Sequence, residues 1–290
     1  MKLLQSLKLK IKRNLFGYTR LIDFRFHIQK SYSTLSLRSW VKYIIWVINH
    51  FKGDKIFRLK SGYKIEVRPN DKSGELWVFE ELFLTQDYQI PKVLSKEKVK
   101  LIVDLGGNVG YSVVHFAAEF PNAHIIVWEP YESHYQQLRK HIEINKLENR
   151  VESIKAAAGV NNQRDILNLE GIASYIGEKQ QSHHLNRKDD HQTNEIEIET
   201  KDLFEYLHDK QIDFLKMDIE GSEWNILEDE RFKLIKPKYI IMEWHVLLKD
   251  PKYTLNWLVN RLESMDYKVE ILKRGNDDKL GLLQAFAKAG

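Results

Sequence analysis

The stretch VKLIVDLGGNVGYS (99–112) decides the fold. Its first half is a short apolar, β-branched run that stops at Asp104 and two glycines. A run this short and this apolar fits a parallel strand buried on both faces. The continuation NVGYSVVHFAAEF (108–120) reads as a helix that Pro121 ends. Outward from there, HIIVWEP (124–130) is a second buried strand, YESHYQQLRKHIEINK (131–146) a helix and VESIKAAAG (151–159) a third strand. Strand, helix, strand, helix, strand at this spacing requires crossover connections, so the chain builds a doubly wound, mostly parallel α/β sheet.

Residues 160–199 break the rhythm. They are rich in Asn, Gln, His and charge, end in the alternating NEIEIET, and read as a variable insertion holding a hairpin. The pattern then resumes. TKDLFEYLHDK (200–210) is a helix with Thr200 as its N-cap, IDFLKM (212–217) a fourth strand, SEWNILEDERFKLI (222–235) a helix, KYIIMEW (238–244) a fifth strand and LNWLVNRLESM (255–265) a helix. The chain closes with YKVEILKR and LLQAFAKA around the turn GNDDKLG, a hairpin that sets the last strand antiparallel to its neighbour. A dinucleotide dehydrogenase sheet more often continues parallel. A class I methyltransferase (Rossmann-like) sheet finishes with such a hairpin.

Ahead of this body, IFRL (56–59) and YKIEVR (63–68) form a hairpin around Ser61-Gly62, and GELWVFEELFL (74–84) reads as a helix. The 290 residues are 43% hydrophobic and 30% charged, as in an ordinary globular protein, and contain no cysteine. That excludes a disulfide framework, thiolate metal sites and cysteine nucleophiles together. Residues 1–60 hold 14 Lys or Arg against 2 acids, whereas the rest holds 31 against 39. A basic arm thus precedes a mildly acidic body. Leu4, Leu7, Ile11 and Leu15 recur at helical spacing between lysines, a basic amphipathic pattern that suits a membrane interface or packing on the body or a second protomer. The 35–51 stretch is a second helix, and WVKYIIWVINHF within it falls well short of the roughly 20 apolar residues of a membrane span. The lysines of 8–13 stand where a signal peptide would be apolar. The expected organisation is a basic helical extension over 1–55 and one domain over 56–290, in the cytoplasm, with a peripheral contact to the inner membrane face through residues 1–50. Nucleic acid is disfavoured as a partner by the acidic body.

Open α/β sheets bind ligands beyond the carboxyl ends of their strands, and glycines there let a ligand approach the backbone. The G-x-G-x-x-G register of a nicotinamide site fails here, because Leu105 or Asn108 falls where a glycine belongs. The pattern acid-x-Gly-x-x-x-Gly is met by Asp104, Gly106 and Gly110. An acid beside the turn repels a pyrophosphate and suits an ammonium, which S-adenosylmethionine (SAM) carries next to a carboxylate. Glu129 ends the second strand, where an acid accepts hydrogen bonds from two ribose hydroxyls.

Asp218 and Glu220 follow the fourth strand and Glu243 and His245 end the fifth, so these loops and the glycine turn face one crevice. Methyl transfer displaces at an already activated carbon, and a nearby base takes the acceptor's proton. Asp218 and His245 are the candidate bases. Each also has a structural reading: Asp218 as a turn cap, His245 as a satisfied strand-end histidine. Glu223 follows Ser222 and reads as a first-turn acid favoured by the helix dipole. A divalent cation on Asp218, Glu220 and Glu243 fits the chemistry of hard cations, but the spacing matches no EF-hand, and no metal is expected. His183, His184 and His191 read as a solvated loop.

In VDLGGNVGYS, IIVWEP, FLKMDIEGSEWNIL and YIIMEWH, in that order, the chain resembles the FkbM-type methyltransferases over roughly residues 60 to 250. VRPNDKSGELWVFEELFLTQDY (67–88) resembles the family's lead-in, with Arg68, Asp71 and Tyr88 at similar places. Gly107 stands where the family often has alanine. The resemblance implies a SAM-dependent methyltransferase that acts on hydroxyls of saccharides or other small molecules. It implies that Asp104, Gly106, Asn108, Gly110 and Glu129 hold the cofactor, and that Asp218 with Glu220 sits at the transfer centre. A second reading is a methyltransferase fold kept without catalysis, docked to a membrane or partner through the basic arm.

Overall fold

A computed structural model describes residues 24–49, 51–69, 74–85, 88, 90–91, 94–170, 173–176, 194–246, 252–275 and 278–288. The expected helix over 1–16, Asp71 of the lead-in and the three histidines of the insertion lie outside these residues. The chain divides into two compact units, Met1–Gln89 and Ile90–Gly290.

In the first unit, helices α1 (Phe24–Thr34) and α2 (Leu37–Ile48) precede the antiparallel hairpin β1 (Lys55–Arg58) and β2 (Lys64–Val67). Ser36 caps α2, its hydroxyl accepting from Ser39 N. Tyr43 and Trp46 of α2 meet Phe57 of β1 with ring centroids 5.7 and 5.3 Å apart, so the helix is held by its aromatic face. The helix expected over 74–84 splits into α3 (Glu75–Phe79) and a π-helical turn (Glu80–Thr85) that places Leu82, Phe83 and Leu84 all inside. The Glu75 carboxylate accepts from Arg68 N (3.0 Å) and Arg68 Nε (2.7 Å), which ties α3 to the end of β2.

The second unit opens with β3 (Leu101–Leu105), α4 (Tyr111–Glu119), β4 (His124–Trp128), α5 (Glu132–Ile144) and β5 (Val151–Ile154). The single strand expected over 151–159 is broken. β5 stays in the main sheet, while β6 (Ala157–Gly159) turns away to pair with the insertion. Among the described residues the insertion is a sheet larger than the one hairpin expected: β7 (Gln163–Glu170), β8 (Ala173–Ile176) and β9 (Asn194–Asp202) join β6 in the order β6-β9-β7-β8. Thr200 therefore lies in β9, opposite Ala157, and is not a cap. Asp202 caps α6 (Leu203–Leu207) instead, accepting from Phe204 N (2.9 Å) and Glu205 N (3.1 Å).

β10 (Phe214–Met217) follows, then α7 (Glu223–Glu228) and α8 (Phe232–Ile235), which replace the one helix expected over 222–235. The break falls at Asp229, whose backbone is extended and whose carboxylate binds the Arg231 guanidinium. β11 (Tyr239–His245), α9 (Leu255–Ser264), β12 (Tyr267–Arg274) and β13 (Leu280–Ala287) complete the unit. The main sheet runs β12-β13-β11-β10-β3-β4-β5. β11, β10, β3, β4 and β5 are parallel, and β13 is antiparallel to both β11 and β12. This is the doubly wound, mostly parallel sheet with a C-terminal antiparallel hairpin read from the sequence. Its core includes Trp128, Trp224 and Trp244, all fully buried. The register aligns Leu105 with Trp128 and with Met217, and Met217 with Met242. Residues 106, 129 and 218 therefore leave the sheet at the same end of their strands, beside Glu243 near the end of β11.

Candidate active site

The chain reverses direction across the sheet between β3 and β10, and the glycine turn lies above that point. Gly106 N and Gly107 N both donate to Trp128 O (3.1 and 2.8 Å), which folds the turn over the end of β4. Gly106 has φ +81°, and a Cβ there would stand 1.9 Å from Asp218 O. Only glycine fits, because the turn and the loop after β10 touch backbone to backbone. At Gly107 a Cβ would lie 2.2 Å from Val127 Cγ2, so the family's common alanine is blocked here by a β4 side chain.

Asn108 takes a left-handed backbone, φ +47°, that aims its N–H at Glu129. The Glu129 carboxylate accepts from Asn108 N (2.8 Å) and Tyr131 N (2.9 Å), one per oxygen. Burial nevertheless pushes its carboxyl up to about 7 against these two N–H groups. A cleft of about 700 Å³, counting its open mouth, is lined by Gly106, Asn108 and Glu129 on one side and by Asp218 and Glu220 on another. Ala156, Ala157 and Ala158 complete the wall, so the break between β5 and β6 leaves a small-residue surface facing the ligand space.

Asp104 and Gly110 lie beneath this cleft rather than on its wall. Asp104 is fully buried, its Oδ2 accepting from Ser112 Oγ (2.6 Å) and its Oδ1 standing 3.3 Å from Lys216 Nζ. Gly110 has φ +88° and starts α4 against Leu138. Lys216, to which sequence reasoning assigned no role, is the centre of this layer. Its ammonium donates to Gly106 O (2.5 Å) and Leu105 O (3.3 Å) and lies 3.5 Å from Asp218 Oδ2. Burial opposes its charge, but Asp104 and Asp218 outweigh that and raise its pKa. A signal existed: a lysine inside a run read as a strand buried on both faces must meet counter-charges.

The loop after β10 is pinned from behind by Glu223. Its carboxylate is buried and accepts from Ile219 N (3.1 Å) and Gly221 N (2.8 Å). It does begin α7, as expected, yet its side chain shapes the loop that carries the other acids. Glu220 adopts φ +52° and Gly221 φ +100°. His245 projects from the end of β11 into this cluster. Its Nε2 is 3.5 Å from Glu220 and 3.7 Å from Glu243, and its Nδ1 is 3.5 Å from Glu223. Burial disfavours charge on the ring, but the carboxylates dominate and raise its pKa well above 6.5. The surrounding carboxylates thus favour the protonated form of the ring. Burial lifts Glu220 and Glu243 to about 7, with the Asp218 charge adding to both shifts and His245 opposing them. Asp218, Glu220 and His245 offer ligand atoms within 4.8 Å of one another. The sheet thus gathers Gly106, Asn108, Glu129, Asp218 and Glu220 on one cleft, with His245 behind Glu220.

The family model for the methyltransferase FkbM domain matches residues 104–269, more than half of the chain. "Methyltransferase 1" of Beauveria bassiana (strain ARSEF 2860) is 21% identical over 196 residues, covering 61% of this chain and 77% of that one. "Methyltransferase sdnD" of Sordaria araneosa is 23% identical, covering 58% and 74%. A crystal structure of a methyltransferase FkbM from Methylobacillus flagellatus KT aligns at 18% identity and a TM-score of 0.45, over 75% of this chain and 55% of that one. The match spans just over half of that solved chain. The family model covers the glycine turn, Glu129, the loop after β10 and the end of β11 alike. The chain belongs to the FkbM methyltransferase family.

Proposed function

We propose that this methyltransferase methylates a hydroxyl of a saccharide or another small hydroxylated acceptor. The observation that carries the reading is the placement of Glu220 and Asp218 on the same cleft as Glu129 and Gly106. The family's methyl donor is SAM, and the residues fit it. Gly106 lines the cleft with backbone alone, and the buried Glu129 carboxylate lines it with one N–H on each oxygen. Gly106, Asn108 and Glu129 would hold it, with Asp104 and Gly110 shaping the turn from below. When bound, SAM supplies an electrophilic methyl group on a sulfonium.

The chain's own residues then divide the remaining work. Asp218 and Glu220 form an acceptor-facing pair of carboxylates, which receive hydrogen bonds from neighbouring hydroxyls and orient them. Glu220, held near 7 by burial, takes the hydroxyl proton at physiological pH. His245, as imidazolium, stays beside Glu220 and Glu243 and offsets the accumulated negative charge. Glu223 keeps the loop and the ring in place.

The test has two arms. Calorimetric titration with S-adenosylhomocysteine is expected to show binding, and none at about 100 μM, an ordinary affinity scale for enzyme ligands, overturns the cofactor reading. Incubation with radiolabelled SAM and panels of sugars and amines is expected to label sugar hydroxyls. Label on amines alone rejects the acceptor class while leaving the family assignment intact.

A further inference from the structure

From Phe24 to Lys60 the sequence holds eight Lys or Arg and one acid, Asp54. α2 concentrates the consequence. Tyr43 and Trp46 face inward on β1, yet Leu37, Val41 and Ile45 are 66%, 46% and 54% exposed. These three recur every four residues and form one outward apolar stripe more than two turns long. Scattered exposed apolar residues need no explanation, but a continuous stripe beside cations does. Val41, Ile45 and the edge of Trp46 form the apolar wall of a groove whose rim is Arg38, Lys42, Lys52 and Lys55. Among the described residues, no helix is long and apolar enough to cross a membrane.

We propose that this face of α2 docks on the surface of an anionic lipid bilayer. Apolar side chains in a stripe enter the boundary between headgroups and acyl chains, while flanking lysines and arginines stay at the level of the lipid phosphates. The charge complement is specific to that partner. A second copy pairing through the same face would set the four rim cations against four identical ones, which disfavours a twofold dimer. A nucleic acid would use the cations and leave the three aliphatic side chains without a role. The sequence alone placed a membrane contact somewhere in residues 1–50, with the amphipathic pattern of 1–16 as its motive. α2 supplies a surface of its own, and the proposal does not depend on which acceptor the enzyme methylates.

The experiment is co-sedimentation of the full chain with phosphatidylcholine vesicles, with and without about 30% phosphatidylglycerol. Binding is expected to the anionic vesicles only, and to weaken in 0.5 M salt as surface charges are screened. The double variant Val41→Asp and Ile45→Asp should lose about tenfold or more of that binding. Lys52→Glu with Lys55→Glu keeps the apolar stripe and should lose about 20-fold or more, at about fivefold for each removed cation. Both pairs lie on the surface, and unchanged circular dichroism melts establish that they fold; the second pair stands if the first does not fold. Equal binding to neutral vesicles, no binding to anionic ones, or variants that bind like the parent overturn the proposal. So does self-association in sedimentation velocity that Val41→Asp with Ile45→Asp abolishes, which would assign the stripe to a dimer.

Discussion

Lys216 is where the two halves of the site meet. One ammonium, almost fully buried, bonds the glycine turn through Gly106 O and faces the Asp104 and Asp218 carboxylates. Lys216→Met keeps the volume and removes the charge, which leaves two acids without their shared counter-ion. Breaking a buried ion pair from one side costs about 3–5 kcal/mol. Urea denaturation of the variant should show a loss of that order, together with weaker S-adenosylhomocysteine binding as the turn relaxes. A loss below about 1 kcal/mol would mean that the charge is solvated in a way its surroundings do not suggest. Glu220 yields the second prediction. A carboxyl raised to about 7 is protonated below that pH and ionised above it. The turnover number should therefore rise as pH increases through about 7. Glu220→Gln should remove that limb and lower turnover by about 10²–10⁴. If Glu220→Gln keeps the limb, the proton goes elsewhere, with Asp218 next in reach. Asp104, Asp218 and Glu220 stood out because acids at the ends of apolar runs carry a chemical reason in the sequence itself, whereas Asn108 was named only through the family resemblance. Glu223 was legible only as a helix start. Its grip on Ile219 N and Gly221 N depends on a loop path that no local pattern encodes.

At the scale of elements, the parallel strands were readable because each is a short apolar run bounded by turn chemistry. The errors fell where tertiary partners overrode local signals. AAAG continues a strand by pattern, but Ala157 pairs with Thr200 across the second sheet, and the small side chains end up on the cleft. That pairing also draws Thr200 into β9 and passes the capping role to Asp202. Arg231 then locks the corner. Its guanidinium binds Asp202 Oδ2 (2.7 Å), Asp229 Oδ2 (2.7 Å) and Val160 O (2.7 Å), joining the end of β6, the start of α6 and the break between α7 and α8. The carboxylate of Asp202 thus has two functions that can be separated. Asp202→Asn retains a good cap and loses the charge, whereas Asp202→Ala loses both. Thermal melts should place Asp202→Ala lowest, by about 1–2 kcal/mol of stability, with Asp202→Asn between it and the parent. Equal losses would assign the whole effect to Arg231.

For the second unit as a whole, the crowding of acids near one end of the parallel strands has a pH signature. Glu129, Glu220 and Glu243 keep their protons to about 7 in the folded chain, against 4.5 for an ordinary glutamate, chiefly because they are buried. The folded state therefore binds protons more tightly than the unfolded state across that interval. The stability they confer is full below about pH 4.5 and is lost as pH rises through about 7. His245 works in the same direction: its raised pKa favours folding below 6.5, and the benefit fades as pH climbs through the raised value. Asp213 and Asp229 carry the opposite sign. Burial opposes charge on Asp213, but Lys238 and the backbone N–H groups of Lys100 and Leu101 outweigh it; Arg231 lowers Asp229. Their stabilisation is present above about 3.8 and disappears as pH falls. The two sets leave a maximum near pH 5, more acidic than the range around 5 to 8 common to proteins. Melting temperatures measured from pH 4 to 9 without ligand should peak near 5 and fall by several degrees by pH 8. Glu243→Gln should melt higher than the parent at pH 8 and nearly equal to it at pH 5, because it removes a charge that only the higher pH creates. A flat profile, or a variant with the same offset at both pH values, would mean that these carboxylates already ionise freely and that their burial does not govern the stability of the unit.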